Sequence, residues 1–75
     1  MNISDQYAEH TCKAGQARQA VVIWFYEYGY SIGVYGETKA ENDAAEFLGD
    51  AIGDALDDGS LPNPIPKKNL TNEET

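Results

Sequence analysis

AVVIWFYEYGYSIGVYG, residues 20–36, is the stretch on which the fold turns. Val21, Val22, Ile23, Trp24, Phe25 and Tyr26 are strong strand formers, so residues 20–28 read as a strand. Gly29-Tyr30 suits a two-residue turn with glycine in the first central position, and residues 31–36 return as a second strand. That turn places Phe25 opposite Val34, Trp24 opposite Tyr35 and Tyr26 opposite Gly33. One face then carries Val21, Ile23, Phe25, Ile32 and Val34, and the other Val22, Trp24, Tyr26, Tyr28 and Tyr35.

Outward from the hairpin, residues 38–58 read as a helix. Thr38-Lys39-Ala40-Glu41 is a capping box, and Gly59 stands where a left-handed C-terminal cap belongs. Before the hairpin, residues 4–19 read as a weaker helix, with Ser4 as N-cap, Asp5 in its first turn and Gly15 weakening its second half. After Gly59, Pro62, Pro64 and Pro66 alternate and a polar run follows, which predicts an extended, flexible tail over 60–75. The expectation is therefore an α+β fold in one small domain, 1–59: an N-terminal helix, a two-stranded antiparallel hairpin and an acidic C-terminal helix, followed by the tail.

At 75 residues the chain is one domain at most, and a domain this small has little room for a deep cleft. A composition 41% hydrophobic and 11% aromatic is enough for a core. No apolar run approaches the ~18 residues of a membrane span. The N-terminus lacks the basic-then-apolar layout of a secretory signal, and Cys12 is the only cysteine. The expected setting is therefore cytoplasmic. Cys12 and His10 together fall short of a zinc site, so neither metal nor cofactor is expected.

Charge is the main functional signal. The net charge is −8, and residues 37–59 hold eight acids against one base, Lys39. Such a balance argues against direct contact with nucleic acid or an anionic membrane, which demand a basic footprint. On a helical wheel, Asp43, Glu46, Asp50, Asp54 and Asp57 fall within an arc of about 80°, with Asp58 following at the C-terminal end. Ala44, Ala45, Leu48, Ala51, Ile52, Ala55 and Leu56 occupy the opposite arc. Gly49 and Gly53 mark one boundary and Phe47 the other. Like charges at this spacing repel by ~0.2–0.5 kcal/mol per pair, and acids at a helix C-terminus oppose the macrodipole. The row therefore points to a task outside the fold. Carboxylates three or four residues apart stand ~5–6 Å from one another along the axis, close to the separation of successive phosphates on a nucleic-acid strand. Three readings follow: mimicry that fills a basic groove, a solvated face that keeps the protein soluble, and cation binding. An EF-hand is excluded, because a loop opening at Asp54 puts Leu56 and Ile65 where oxygen ligands are required.

Trp24, Tyr26, Tyr28 and Tyr35 form a possible second patch, with three readings: a stacking platform for single-stranded nucleic acid, which the missing basic surround disfavours, a face partly covered by the N-terminal helix, or an aromatic protein-binding surface. No catalytic constellation is present: the glycines of the hairpin do not open a helix, and no serine has a nucleophile elbow. The chain reads as a binding protein rather than an enzyme.

The short chain, the hairpin over 20–36 and the acid-lined helix over 43–57 together resemble small phage-encoded inhibitors of host proteins, such as anti-CRISPR proteins and other DNA mimics. That resemblance implies an inhibitor of a basic, nucleic-acid-binding host protein, acting in the bacterial cytoplasm. A looser likeness is to hairpin-then-helix antitoxins of the HicB type, which implies an interaction or assembly-partner module without mimicry. A two-stranded sheet is marginal alone, so a homodimer is expected, formed by the sheet edge or by the Gly49/Gly53 face of the helix. Asp43, Glu46, Phe47, Asp50, Asp54, Asp57 and Asp58 are the expected partner-binding residues.

Overall fold

The computed structural model describes residues 2–65 and has the α+β layout in the expected order. Helix α1 spans Ile3–Ala14, strands β1 and β2 span Gln19–Tyr26 and Gly29–Gly36, and helix α2 spans Lys39–Asp58. Most of the expected proline-containing tail, 66–75, lies outside the described residues; 60–65 are exposed.

The capping signals of α2 act as read. The Thr38 hydroxyl accepts from the Glu41 N–H at 3.2 Å, and the Glu41 carboxylate accepts from the Thr38 N–H at 3.1 Å. Gly59 closes the helix with φ 85. Helix α1 differs from expectation at both ends. Its N-cap is Asn2, whose side chain accepts from the Asp5 N–H, so the helix starts two residues earlier than a Ser4 cap implies. It stops at Ala14 because Ala17 N–H bonds back to the Cys12 carbonyl at 2.9 Å and Gln16 N–H to the Lys13 carbonyl at 3.1 Å. This Schellman closure seats Gln16 at φ 55. The reversal releases residues 17–18 to lead into β1.

The hairpin turn is Glu27-Tyr28, not Gly29-Tyr30, because Tyr26 pairs with Gly29. Val21 therefore faces Val34, Ile23 faces Ile32 and Phe25 faces Tyr30. A turn at Gly29-Tyr30 would strand residues 20–22 beyond the end of β2. The observed register pairs all eight residues of each strand and sets β-branched side chains opposite one another. The slip is an even number of residues, so the expected faces survive it. Tyr30 joins the face with Val21, Ile23, Phe25, Ile32 and Val34, and Tyr28 leaves the sheet for the turn.

The two helices cover opposite faces of the hairpin, and both lie mainly over β2. Helix α1 rests where β2 has no side chain: a Cβ on Gly33 would lie 2.1 Å from the Ser4 carbonyl oxygen. Helix α2 crosses the other face through Gly49, where an added Cβ would meet Val34 Cγ1 at 2.8 Å. The buried apolar residues, Ala8, Cys12, Val34 and Ala45, are small. Close approach of backbone to backbone does much of the packing that large side chains do elsewhere.

This seating sets the roll of α2 about its axis. Its buried line runs through Ala45 and Gly49, with Ile52, Gly53, Ala55 and Leu56 half-buried, so the helix is rolled from the centre of the apolar arc towards its glycine boundary. Ala44, Leu48 and Ala51 are consequently exposed. The expected dimer through the Gly49/Gly53 face is corrected, since that face is occupied by the hairpin.

The two glycines of α2 separate by experiment. Relative to alanine each costs ~1 kcal/mol of helix propensity. A Cβ on Gly53 meets only ordinary contacts, with Tyr30 Oη at 3.4 Å and Ile32 Cδ1 at 3.6 Å, so Gly53→Ala should stabilise by about 0.5–1 kcal/mol. Gly49→Ala must push against buried Val34, and overpacking of ~1–3 kcal/mol outweighs the propensity gain. Urea denaturation should move the two midpoints in opposite directions.

Candidate functional site

The acids of α2 lie to one side of its glycine seam, and the seam sits on β2. Glu46, Asp50, Asp54 and Asp57 are thereby brought to the rim of an open groove of about 560 Å³ along the outer edge of β2. Tyr30, Ile32 and Val34 form its floor, and Asn2 and Asp5 of α1 its opposite rim.

The floor is a strand edge whose polar groups are partly capped by side chains. Asp5 accepts the Val34 N–H at 2.9 Å, and Asn42 accepts the Gly36 N–H at 3.1 Å. An unpaired edge invites pairing with another chain, and here a carboxylate and an amide occupy two of its donors. At the far end of the groove the Tyr30 hydroxyl lies 2.8 Å from Asp57 Oδ1 and 3.1 Å from the Gly53 carbonyl. Donation to Asp57, helped by burial and by the charges of Asp57 and Asp54, holds the Tyr30 phenol above its ordinary pKa. It remains a neutral donor at neutral pH.

The seven expected partner-binding residues are all exposed but differ in setting. Glu46, Asp50, Asp54 and Asp57 converge on the groove. Asp43 lies outside its lining and is paired with Lys39 at 2.9 Å. Asp58 is used locally: its carboxylate accepts the Ser60 N–H at 2.8 Å, and hydrogen bonding by the Ser60 side chain, then by its backbone, holds the Asp58 pKa below the usual aspartate value. Phe47 is 78% exposed on the solvent side of α2, at the outer margin of the row. Among the described residues no lysine, arginine or histidine pairs with Glu46, Asp50 or Asp54 within 4.0 Å. No group of three or more His, Cys, Asp or Glu is placed to hold a metal ion among the described residues.

The aromatic residues are split as well. Helix α1 covers part of their face: Tyr7 packs on Trp24 with ring centroids 6.1 Å apart, and Lys13 Nζ stands 5.9 Å from the centre of the Tyr35 ring. Tyr26 and Tyr28 remain exposed, Tyr28 at the tip of the turn. A continuous platform of Trp24, Tyr26, Tyr28 and Tyr35 is not formed.

Asp5, Tyr30 and Asn42 are the site residues that sequence patterning missed. Asp5 reads as an ordinary first-turn acid, and only the strand register directs the Val34 N–H outward to meet it. Tyr30 would have been legible from a turn placed at Glu27-Tyr28, which puts it beside Phe25 on the α2 face.

Arg18 is the cation that anchors the start of α2. It forks onto Glu41, with Nη2 3.0 Å from Oε1, and approaches Glu37 at 3.7 Å. The Arg18 hydrogen bond, then those from Thr38, hold the Glu41 carboxyl below its usual range. Comparison with family models, curated proteins and solved structures finds no match. No helix among the described residues is long and apolar enough to cross a membrane.

The Glu41 bond carries a pH signature. A carboxyl whose folded pKa is depressed contributes stability above its unfolded pKa and loses it as pH falls through the folded value. Glu41→Gln should therefore melt below the wild type at pH 7. The gap should close on acidification below the usual glutamate range, as calorimetric scans of both proteins across that window would reveal.

Proposed function

We propose that the groove-side acidic row is a docking face for a basic, nucleic-acid-binding protein, and that the chain acts as a stoichiometric inhibitor by occupying that protein's nucleic-acid site. One observation carries this reading. Glu46, Asp50 and Asp54 stand exposed on successive turns of one helix, with Asp57 extending the line and no described cation pairing with the first three. A rigid helix holds the charges at ~5–6 Å intervals before any partner arrives. A pre-arranged row loses little entropy on binding and attracts a basic groove from a distance. A face that only kept the protein soluble would gain nothing from such alignment. The seam that aligns it, Gly49 and Gly53, lowers the helix propensity of the same element.

Phe47 supports a second, complementary contact. A large apolar side chain left 78% exposed beside the acids is an anchor a protein partner can bury. It also favours, as the alternative, an antitoxin-like or assembly-partner module that binds without mimicry.

Capture from a bacterial lysate on the immobilised chain separates these readings. Mimicry expects retained proteins that are basic, bind nucleic acid, and are released by duplex DNA or by rising salt. Asp50→Asn with Asp54→Asn should cut retention chiefly through a slower on-rate, with the loss shrinking as salt rises. Phe47→Ala should speed dissociation with little salt dependence, and should leave the melting temperature within a few degrees because the side chain is not in the core. Retention that survives the Asn pair at low salt and resists duplex DNA assigns the surface to ordinary protein contact and ends the mimicry reading.

A further inference from the structure

The two edges of the hairpin are unlike. The β2 edge is bordered by carboxylates and has two donors capped by Asp5 and Asn42. Among the described residues, no side-chain cap of this kind is found on the N–H groups of β1. The Val34 N–H points away from β1, since it is bonded by Asp5, so Val34 and its partner Val21 form a non-hydrogen-bonded pair. Val21 therefore directs its own N–H and C=O away from β2, as do Ile23 and Phe25 at the same parity. Among the described residues the sheet has two strands, so these groups face outward from it.

The faces of β1 are under-covered too. Both helices lie mainly over β2, and no residue of β1 is fully buried although it is the most apolar segment of the chain. Beside it, a shallow hollow of about 260 Å³ is lined by Gln19, Ala20, Val21, Ala44, Ala45 and Leu48, and Leu48 is 51% exposed there. Long, apolar, unblocked edge strands are sites of strand addition.

From this asymmetry we infer that β1 is the interface of a homodimer, in which β1 of one copy pairs antiparallel with β1 of a second to make a continuous four-stranded sheet. Three features select a second copy as the occupant. Strand β1 contains no charged residue, whereas the acidic row lies at the opposite edge of the sheet, so edge-to-edge pairing sets the two rows at the far ends of the assembly. Charge repulsion between two acidic chains is least in that arrangement. The outward groups of β1 also satisfy one another under a two-fold axis normal to the sheet: pairing Ile23 with Ile23 of the second copy, or Val21 with Ile23, matches outward donors to outward acceptors and keeps like faces together. The same axis brings the Leu48 flanks of the two α2 helices together over the joined strands. Closed two-fold pairing of identical edges removes both unblocked edges at once, and four strands make a sheet where two are marginal. This inference does not depend on what the acidic row binds.

The test uses the full chain without any partner. Light scattering should give a mass near twice 8.2 kDa at micromolar concentration. Hydrogen exchange should show the Val21, Ile23 and Phe25 amides protected in concentrated samples and exposed on dilution. Leu48→Glu, which adds a charge to an exposed position of the flank, should shift the mass to that of a monomer while the helical signal in circular dichroism persists. Asp50→Asn, at the opposite edge, should leave the dimer intact. A wild-type monomer up to hundreds of micromolar overturns the inference. So does a dimer that tolerates Leu48→Glu while the three β1 amides stay exposed. Because no partner protein enters these measurements, their failure leaves the acidic row's role untouched, and loss of lysate capture in the Asn pair leaves the dimer untouched.

Discussion

Every other feature of this fold depends on how closely two helices approach one strand. At Gly33 the backbone of β2 meets the backbone of α1, and at Gly49 the backbone of α2 meets the side chains of β2, with less room than one methyl group in either place. In a chain of this size little apolar volume is available to fill a wider gap. The buried residues are correspondingly small, and contact is made by removing side chains rather than by interlocking large ones. That choice sets the roll of α2 about its axis. Once Gly49 is the point of contact, the acids on one flank of the seam are carried to the β2 edge, and Leu48 and Ala44 on the other flank are carried towards β1.

Charge is distributed in step with this geometry. Arg18 is spent on Glu41 and Glu37 at the start of α2, and Lys39 on Asp43 one turn on. Glu46, Asp50 and Asp54 follow with no described cation paired to them. The C-terminal half of the helix thus carries a uniform negative flank, against which its macrodipole also works. The Tyr30 hydroxyl offsets part of that cost at Asp57, and the Ser60 N–H does so at Asp58. The two acids nearest the helix end are the ones given local donors. The three before them project to solvent.

The hairpin is asymmetric for the same reason. Because both helices centre on β2, β1 is left with only partly covered faces and, among the described residues, an open edge. One side of the protein is acidic and has two edge donors capped by side chains; the other is apolar, uncharged along the strand and uncapped. Two surfaces of opposite character, on opposite edges of a hairpin of two eight-residue strands, allow two independent associations without steric conflict.

The sequence by itself determined the order of elements, the capping box at Thr38, the stop at Gly59 and the faces of the hairpin, because each rests on local chemistry or on a period-two pattern that an even slip preserves. It also determined that the acids of α2 share one arc, which is a matter of helical pitch alone. Tertiary structure decided the turn, since the gain from pairing residues 20–22 with β2 outweighs the preference of Gly29 for a turn position. It decided the end of α1, where the chain reverses through Gln16 to reach β1. It decided which face of α2 is buried: hydrophobicity favoured the alanine and leucine arc, but a glycine seam lets the helix come nearer to β2 than those side chains would allow. For the same reason Asp5 and Tyr30 became part of the groove. Nothing in their local sequence marks them, because their roles depend on the direction of an N–H and the position of a strand residue that only the assembled sheet defines.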